Sequence, residues 1–239
     1  MIIFALPAYN EEKNIGQLIE SIDRTMQGAK EDYQIVVVND GSTDNSLDVL
    51  SQFKGSLKIV DHESNKGLPK TIFDALREAS MMCGKEDIII TMDADNTHAP
   101  SHSVQMIKKI RQGYDIVIAS RYATGGEEVG LSFKRSFLSK GINTVLKVIF
   151  PINGIYDYTC GYRAYNCKLL KKAFEHYGDQ LVESKSFVCM SEILIKLRKF
   201  DLKGSEVPLI LRYDRKIGSS KMDLKKTVIE YFSMIFKNM

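Results

Sequence analysis

The sequence predicts an α/β fold in which a mostly parallel sheet is flanked by helices, and three observations carry that expectation. Short β-branched-rich runs alternate with stretches of helical period through the first half. The runs are strongly apolar, Ile88-Ile89-Ile90 above all, as strands buried on both faces require. Polar clusters follow three of these runs, at the carboxyl ends where ligands of such sheets bind.

Taken in order, the strand-like runs are Ile2–Leu6, Ile35–Val38, Leu57–Val60, Ile88–Met92 and Ile116–Ala119. Between them lie Glu11–Met26, Thr43–Phe53, Leu68–Met82 and Ser101–Gln112, each amphipathic with a period near 3.6. Strand, helix and strand in succession imply right-handed βαβ units. The second half is less regular. A Gly-rich turn at Ala123–Gly126 opens a loop, and a basic amphipathic helix is expected around Lys134–Phe150. A strand-like "DYTCGYRAYN" follows, with helices at Lys168–Tyr177 and Ser186–Lys199. A strand over Ser205–Tyr213, a basic loop at Asp214–Lys221 and a final helix at Leu224–Lys237 complete the chain. With no linker and no repeat, residues 1–239 are expected to form one domain, with halves 1–122 and 123–239.

A chain of 239 residues can bury a sizeable core, and 44% hydrophobic with 26% charged residues is ordinary for a globular protein. A net charge of +3 is weak, so bulk electrostatics do not argue for nucleic acid, and no such partner is expected. Cys83, Cys160, Cys167 and Cys189 show neither a C-x-x-C pair nor zinc spacing. They read as reduced thiols, which favours the cytoplasm. The N-terminus lacks the form of a signal peptide, and no window is apolar enough to span a membrane.

The clearest chemical signal is Asp93-Ala94-Asp95, two acids at the end of a buried strand, where an unpaired carboxylate is costly. A strand turning into a loop can bring both carboxylates to one point, and hard oxygens there suit Mg²⁺ or Mn²⁺. The same residues also suit a solvated turn in which Asp95 caps the next helix. Pro7–Glu12 and Asn39–Asp44 end strands one and two. Tyr9 offers a stacking face, an Asp can accept from a ring N–H, and Gly41 permits a tight turn that Ser42 to Asp44 extend into a helix cap.

"LPAYNEEKNI", "VVVNDGSTDNS", "NKGL", "MDADNTH", "ASRY", "DYTCGYRAY" and "RKIGSSK" together resemble the successive motifs of family 2 glycosyltransferases of GT-A fold. Their order is most similar to the dolichyl- or polyprenyl-phosphate mannosyltransferase branch, over residues 1 to about 222. The resemblance implies a Rossmann-like GT-A domain with a nucleotide-sugar half and an acceptor half. It implies that Pro7, Tyr9, Glu11 and Asp40 hold the nucleotide, and that Asp93 and Asp95 hold the metal. Thr97 stands where the branch often has a Gln ligand, leaving a place for water. Arg121, Arg135 and Ser139 match positions that grip a lipid phosphate, and two guanidiniums suit that ligand. Arg215 and Lys221 match a loop that closes over the donor diphosphate. Asp157 would orient the sugar or act as base, Arg163 would pair with a core acid, and Glu192 would contact sugar or a buried Arg. Cys160 reads as packing.

The activity implied is inverting transfer of a hexose, mannose or glucose, from GDP-mannose or UDP-glucose to a polyprenyl phosphate. A family 2 enzyme adding sugar to a cell-surface polysaccharide is the alternative. An anionic phosphate acceptor needs no strong base, whereas a hydroxyl acceptor would, with Asp157 the candidate. Nucleotidyltransferases are disfavoured, because "LPAYNEEKN" is not a Gly-rich basic loop, and intact acids argue against a non-catalytic sensor. A lipid acceptor also implies a peripheral place on the inner face of a membrane, through Phe137–Phe150 and Leu224–Phe236.

Overall fold

A computed structural model describes residues 1–53, 57–215 and 224–239. The first strand, β1 (Ile2–Ala8), is apolar and almost wholly buried, so it belongs at the centre of a sheet covered on both faces. Among the described residues it is one of seven strands in the order β3-β2-β1-β4-β7-β5-β8. Here β2 is Tyr33–Asn39, β3 Leu57–Asp61, β4 Ile88–Thr91, β5 Ile116–Ser120, β7 Arg163–Asn166 and β8 Gly204–Pro208. All pair in parallel except β7, which lies antiparallel between β4 and β5. A second, two-stranded sheet joins β6 (Glu127–Val129) to β9 (Ile210–Arg212).

The expected strands and helices of the first half are present: α1 (Ile15–Ala29), α2 (Ser46–Ser51), α3 (Leu68–Met82) and α4 (His102–Arg111). In the second half, α5 spans Phe133–Ile149, α6 Cys167–Tyr177, α7 Cys189–Leu197 and α8 Leu224–Asn238. Helix α1 packs with α2 and α4, while α3, α6, α7 and α8 pack in sequence. Two expectations are corrected. Only Arg163–Asn166 of "DYTCGYRAYN" is strand, because the preceding polar groups bond side chains rather than a neighbouring strand. The single strand over Ser205–Tyr213 is two, since Leu209 donates to Ser120 O and the chain then changes sheets.

Register opens the crevice that matters. Strand β4 pairs with β1 only from Ile2 to Ala5, so β1 runs on alone beside β4's departing chain. Pro7, which lacks an N–H, sits where that side of the ladder has ended. The strand order reverses between β1 and β4, which is the switch point where open α/β sheets bind ligands.

The thiols are also corrected. Cys83, just after α3, and Cys167, opening α6, form a disulfide across 84 residues, while Cys160 and Cys189 are free and buried. The thiol argument for a cytoplasmic location therefore falls away. Among the described residues, no helix is long and apolar enough to cross a membrane.

Candidate functional site

One wall of the crevice is built from two turns, after β1 and β2, laced together. Asn10 takes a positive φ of 56° at the end of β1, and its N–H donates 2.9 Å to Ser42 Oγ. Glu11 N donates to Ser46 Oγ at 2.8 Å, and Glu12 Oε2 accepts from Asn45 N at 3.0 Å. Asp44 accepts from Ser46 N at 2.9 Å, satisfying one open donor of α2. Gly41, at φ 63°, lies so close to Ser64 that a Cβ would come within 2.4 Å of its carbonyl carbon. No other residue fits there.

Asp40 is buried and its oxygens are engaged by its own chain. Oδ1 lies 2.8 Å from His62 Nδ1 and accepts from Lys66 N at 2.8 Å, and Oδ2 accepts from Gly67 N at 2.9 Å. Burial pushes this carboxyl up, yet the hydrogen bonds from His62, Lys66 and Gly67 prevail and hold it below the usual range. Asp40 thus fixes the loop before α3. His62 also reaches Asp74 Oδ2 at 3.0 Å, a partner that sequence spacing did not signal.

Pro7, Thr91, Asp93, Gly161 and Met190 line one small pocket at the switch point, so the structure brings Pro7 and Asp93 together. A Cβ at Gly161 would sit 3.5 Å from Asp93 Oδ1. Asp95 is buried, and its Oδ1 accepts from Thr97 N at 3.2 Å and Thr97 Oγ1 at 2.6 Å. Asp95 therefore holds its own turn, and α4 begins beyond its reach at His102. Thr97, in place of a ligand, orients Asp95. Asp93 and Asp95 offer the hard oxygens that a divalent cation takes. No cluster of three or more His, Cys, Asp or Glu suited to a metal occurs among the described residues. Two carboxylates alone leave a divalent cation short of ligands, so one held here would draw the rest from a phosphate substrate or water. Tyr9 and Glu11 lie on the β1 wall, and Glu11 Oε2 accepts from Asn14 Nδ2 at 2.7 Å.

Beyond β5 the chain centres on a buried ion pair. Arg121 Nε donates 2.8 Å to Asp157 Oδ2, and Nη2 donates 2.7 Å to Asp157 Oδ1 and 2.6 Å to Thr159 Oγ1. Nη1 donates to Glu128 Oε1 at 3.2 Å. Burial pushes the Asp157 carboxyl up, but the Arg121 guanidinium and main-chain N–H groups hold it below the usual range. Asp157, the candidate base for a hydroxyl acceptor, is fully buried, with both oxygens engaged by Arg121 and main-chain N–H groups. Ser139 Oγ lies 3.1 Å from Tyr122 OH and 3.4 Å from Thr159 Oγ1, so Ser139 and Arg121 share a neighbourhood. Arg135 turns to Tyr213 OH at 2.7 Å. The side chain of Arg215 and all of Lys221 lie outside the described residues. Sequence reasoning missed Glu128, Thr159 and Tyr122, whose partners Arg121 and Ser139 stand 7 to 38 residues away with no helical or strand period linking them.

Two further expectations change. Arg163 is fully buried and donates to Cys160 O, Met190 O and Tyr158 O, three main-chain carbonyls in place of a core acid. Glu192 pairs with Lys196 at 2.7 Å rather than with an Arg, and accepts from Glu183 N and Ser184 N. Burial pushes the Cys160 thiol up to about 12, which keeps it inert.

A mostly parallel sheet with a laced β1–β2 edge and two acids at its switch point defines a GT-A-type α/β protein. The chain belongs to glycosyl transferase family 2, whose pattern matches residues 4–174. It is 35% identical over 98% of its length to a dolichol-phosphate mannosyltransferase from Pyrococcus furiosus, and spans 62% of that relative. It is 29% identical over 91% of its length to a polyprenol monophosphomannose synthase from Mycolicibacterium smegmatis, of which it covers 79%. In fold it resembles glucosyl-3-phosphoglycerate synthase from Mycobacterium tuberculosis, solved with Mn²⁺, UDP and glucosyl-3-phosphoglycerate. The TM-score is 0.68 at 18% identity, covering 100% of this chain and 79% of that one.

Proposed function

We propose that this protein transfers a hexose, with inversion, from a nucleotide sugar to a polyprenyl phosphate. The observation that carries the reading is the Asp93/Asp95 pair at the switch point of a family 2 chain. The names of the two sequence relatives favour mannose, and hence GDP-mannose over UDP-glucose. Residues 1–122 form the donor half and 123–239 the acceptor half. Pro7, Tyr9, Glu11 and the turn fixed by Asp40 receive the nucleotide.

Asp93 and Asp95 would hold Mg²⁺ or Mn²⁺, with Thr97 fixing Asp95. The cation supplies positive charge beside the departing diphosphate. Arg215 and Lys221 add positive charge to the same group. On the acceptor side, Arg121, Arg135 and Ser139 receive the lipid phosphate, which would compete with Glu128 for Arg121 Nη1, the longest of that guanidinium's ion-pair contacts. With Asp157 committed to Arg121, an acceptor that is already anionic suits the site better than a hydroxyl.

A membrane surface is the natural place for such an acceptor. Phe133, Phe137 and Val148 on α5, and Ile229, Phe232 and Phe236 on α8, are exposed, with Lys140 and Lys147 along α5. These two helices would rest in the headgroup region on the cytoplasmic side. A donor screen with Mn²⁺, measuring nucleotide release with and without a short polyprenyl phosphate, tests the reading. Release from GDP-mannose that depends on the lipid phosphate supports it, and release that ignores the lipid phosphate overturns it.

A further inference from the structure

Apart from the transfer site, the outer face of α3 and the segment between α6 and α7 enclose a groove of about 650 Å³, ample for a small ligand. It shares no lining residue with the pocket at Pro7 and Asp93, and it meets the proposed donor site only at Lys66, in the turn that Asp40 fixes. Lys70, Phe73 and Arg77 lie at spacings of three and four residues, one stripe along α3, with Lys66 in the turn just before that helix. Lys185 and Ser184 face them from the opposite wall, and Pro69, Phe73 and Val182 give an apolar floor. The lining thus carries four cations against one acid, Asp179.

Of these four cations only Lys70 is paired with an acid among the described residues, and other partners take the remaining neighbouring carboxylates. Glu78 pairs with Lys58 at 2.6 Å. Asp74 is shared between Lys70 at 2.6 Å and buried His62 at 3.0 Å. Across the groove, Glu183 is held by Lys196 at 2.8 Å and Lys237 at 2.6 Å, and Glu192 by Lys196. Glu230 accepts from the main-chain N–H of Lys185, leaving that side chain out of the bond. The Arg77 guanidinium and the Lys66 and Lys185 ammonium groups have no ion-pair partner among the described residues.

Both walls are held from beneath. Buried Asp40 grips the N–H of Lys66, and buried Glu192 grips the N–H of Ser184. The cations therefore project from backbone whose position is already set, which lowers the ordering cost of binding.

We infer that this groove is a second anion site, binding a phosphate group carried on an apolar body, with the phosphate between Arg77 and Lys185. A guanidinium and an ammonium across a groove suit phosphate oxygens, and Phe73 with Val182 suits the attached body. The source is either a soluble phosphorylated compound or the headgroup of an anionic lipid.

The test titrates inorganic pyrophosphate into the full chain by calorimetry, in chelator so that Asp93 and Asp95 hold no cation. The wild type and Asp93→Ala should bind alike. The double variant Arg77→Ala/Lys185→Ala should bind at least about tenfold more weakly, the loss expected from two charge-assisted contacts. Both substitutions fall on exposed side chains, so an unchanged melting temperature verifies folding. The same variant should retain GDP binding with Mn²⁺, which separates this site from the proposed donor site. Sedimentation with phosphatidylglycerol and phosphatidylcholine vesicles distinguishes the sources. Selective loss of the anionic-vesicle component in the double variant supports a headgroup, and its retention alongside weakened pyrophosphate binding supports a soluble ligand. Undetectable pyrophosphate binding at millimolar concentration, equal binding by the double variant, or loss on Asp93→Ala would each overturn the inference.

Discussion

Replacing Asp157 with Asn separates an anchoring role from a chemical one. The carboxylate is fully buried. Its Oδ2 accepts from Arg121 Nε at 2.8 Å and Arg121 N at 3.3 Å, and its Oδ1 from Arg121 Nη2 at 2.7 Å and Cys160 N at 3.1 Å. An amide keeps the shape but turns one oxygen into a donor facing donors, and it removes the charge that offsets Arg121. Removing one partner of a buried pair costs roughly 3–5 kcal/mol. Glu128 stays at 3.2 Å from Nη1, which favours the lower end. In a chain of this length each kcal/mol moves Tm by about 2–4 °C, so a fall of roughly 6–20 °C is expected in melts followed by circular dichroism. Adding Arg121→Gln should recover part of that loss, since no bare charge then remains inside. A variant that melts within about 2 °C of the wild type yet transfers no sugar would refute the anchor reading and return Asp157 to the chemistry.

Glu206 gives a pH prediction. Burial pushes its carboxyl above the usual range, against N–H bonds from Asp157 and Tyr156. A raised folded value means stability that is present below the unfolded value and lost as pH rises through the folded one. Glu206→Gln removes that loss, so its Tm advantage should grow from about pH 4 to about pH 8; a shrinking advantage would contradict the sign. Thr97→Val deletes the hydroxyl that donates 2.6 Å to Asp95 and should raise the Mn²⁺ concentration needed for half-maximal binding about tenfold. An unchanged Mn²⁺ titration would show that Asp95 needs no such support. Cys83→Ser should lower stability by up to about 4.5 kcal/mol, the chain-entropy figure for a loop closed across 84 residues. Alkylation of the denatured, unreduced protein should tag two thiols, and tagging of all four would refute the pairing.

What the sequence disclosed follows from how local each signal is. Helix α3 was legible to its ends, Leu68–Met82, because its apolar period is continuous and Gly67 and Cys83 bound it. The Asp93/Asp95 turn was legible because acids closing a triple-Ile strand contradict the burial around them, and such local conflicts mark sites. The strand β7 was foreseen within "DYTCGYRAYN", but its antiparallel course was not, since its partners β4 and β5 lie elsewhere in the chain. Nor was the break at Leu209, whose N–H is claimed by Ser120 O. The disulfide joins residues 84 apart with no local spacing to announce it.

Asp157 shows where sequence reasoning misleads. A lone acid beside Tyr158 and Cys160 has the look of a catalytic group, because burial without a visible partner is costly. Its partner, Arg121, stands 36 residues earlier, just past the end of β5. Asp40 repeats the lesson at shorter range, with its oxygens drawn to His62, Lys66 and Gly67. In both cases the residue type identified a buried charge, and only the three-dimensional hydrogen-bond partners decided whether that charge holds the chain or faces a ligand. The surroundings of Arg121 and Asp157 therefore depend on structure more than the Asp93–Asp95 turn does. Their charges are offset across 36 residues, while Asp95 is held by Thr97 two residues on.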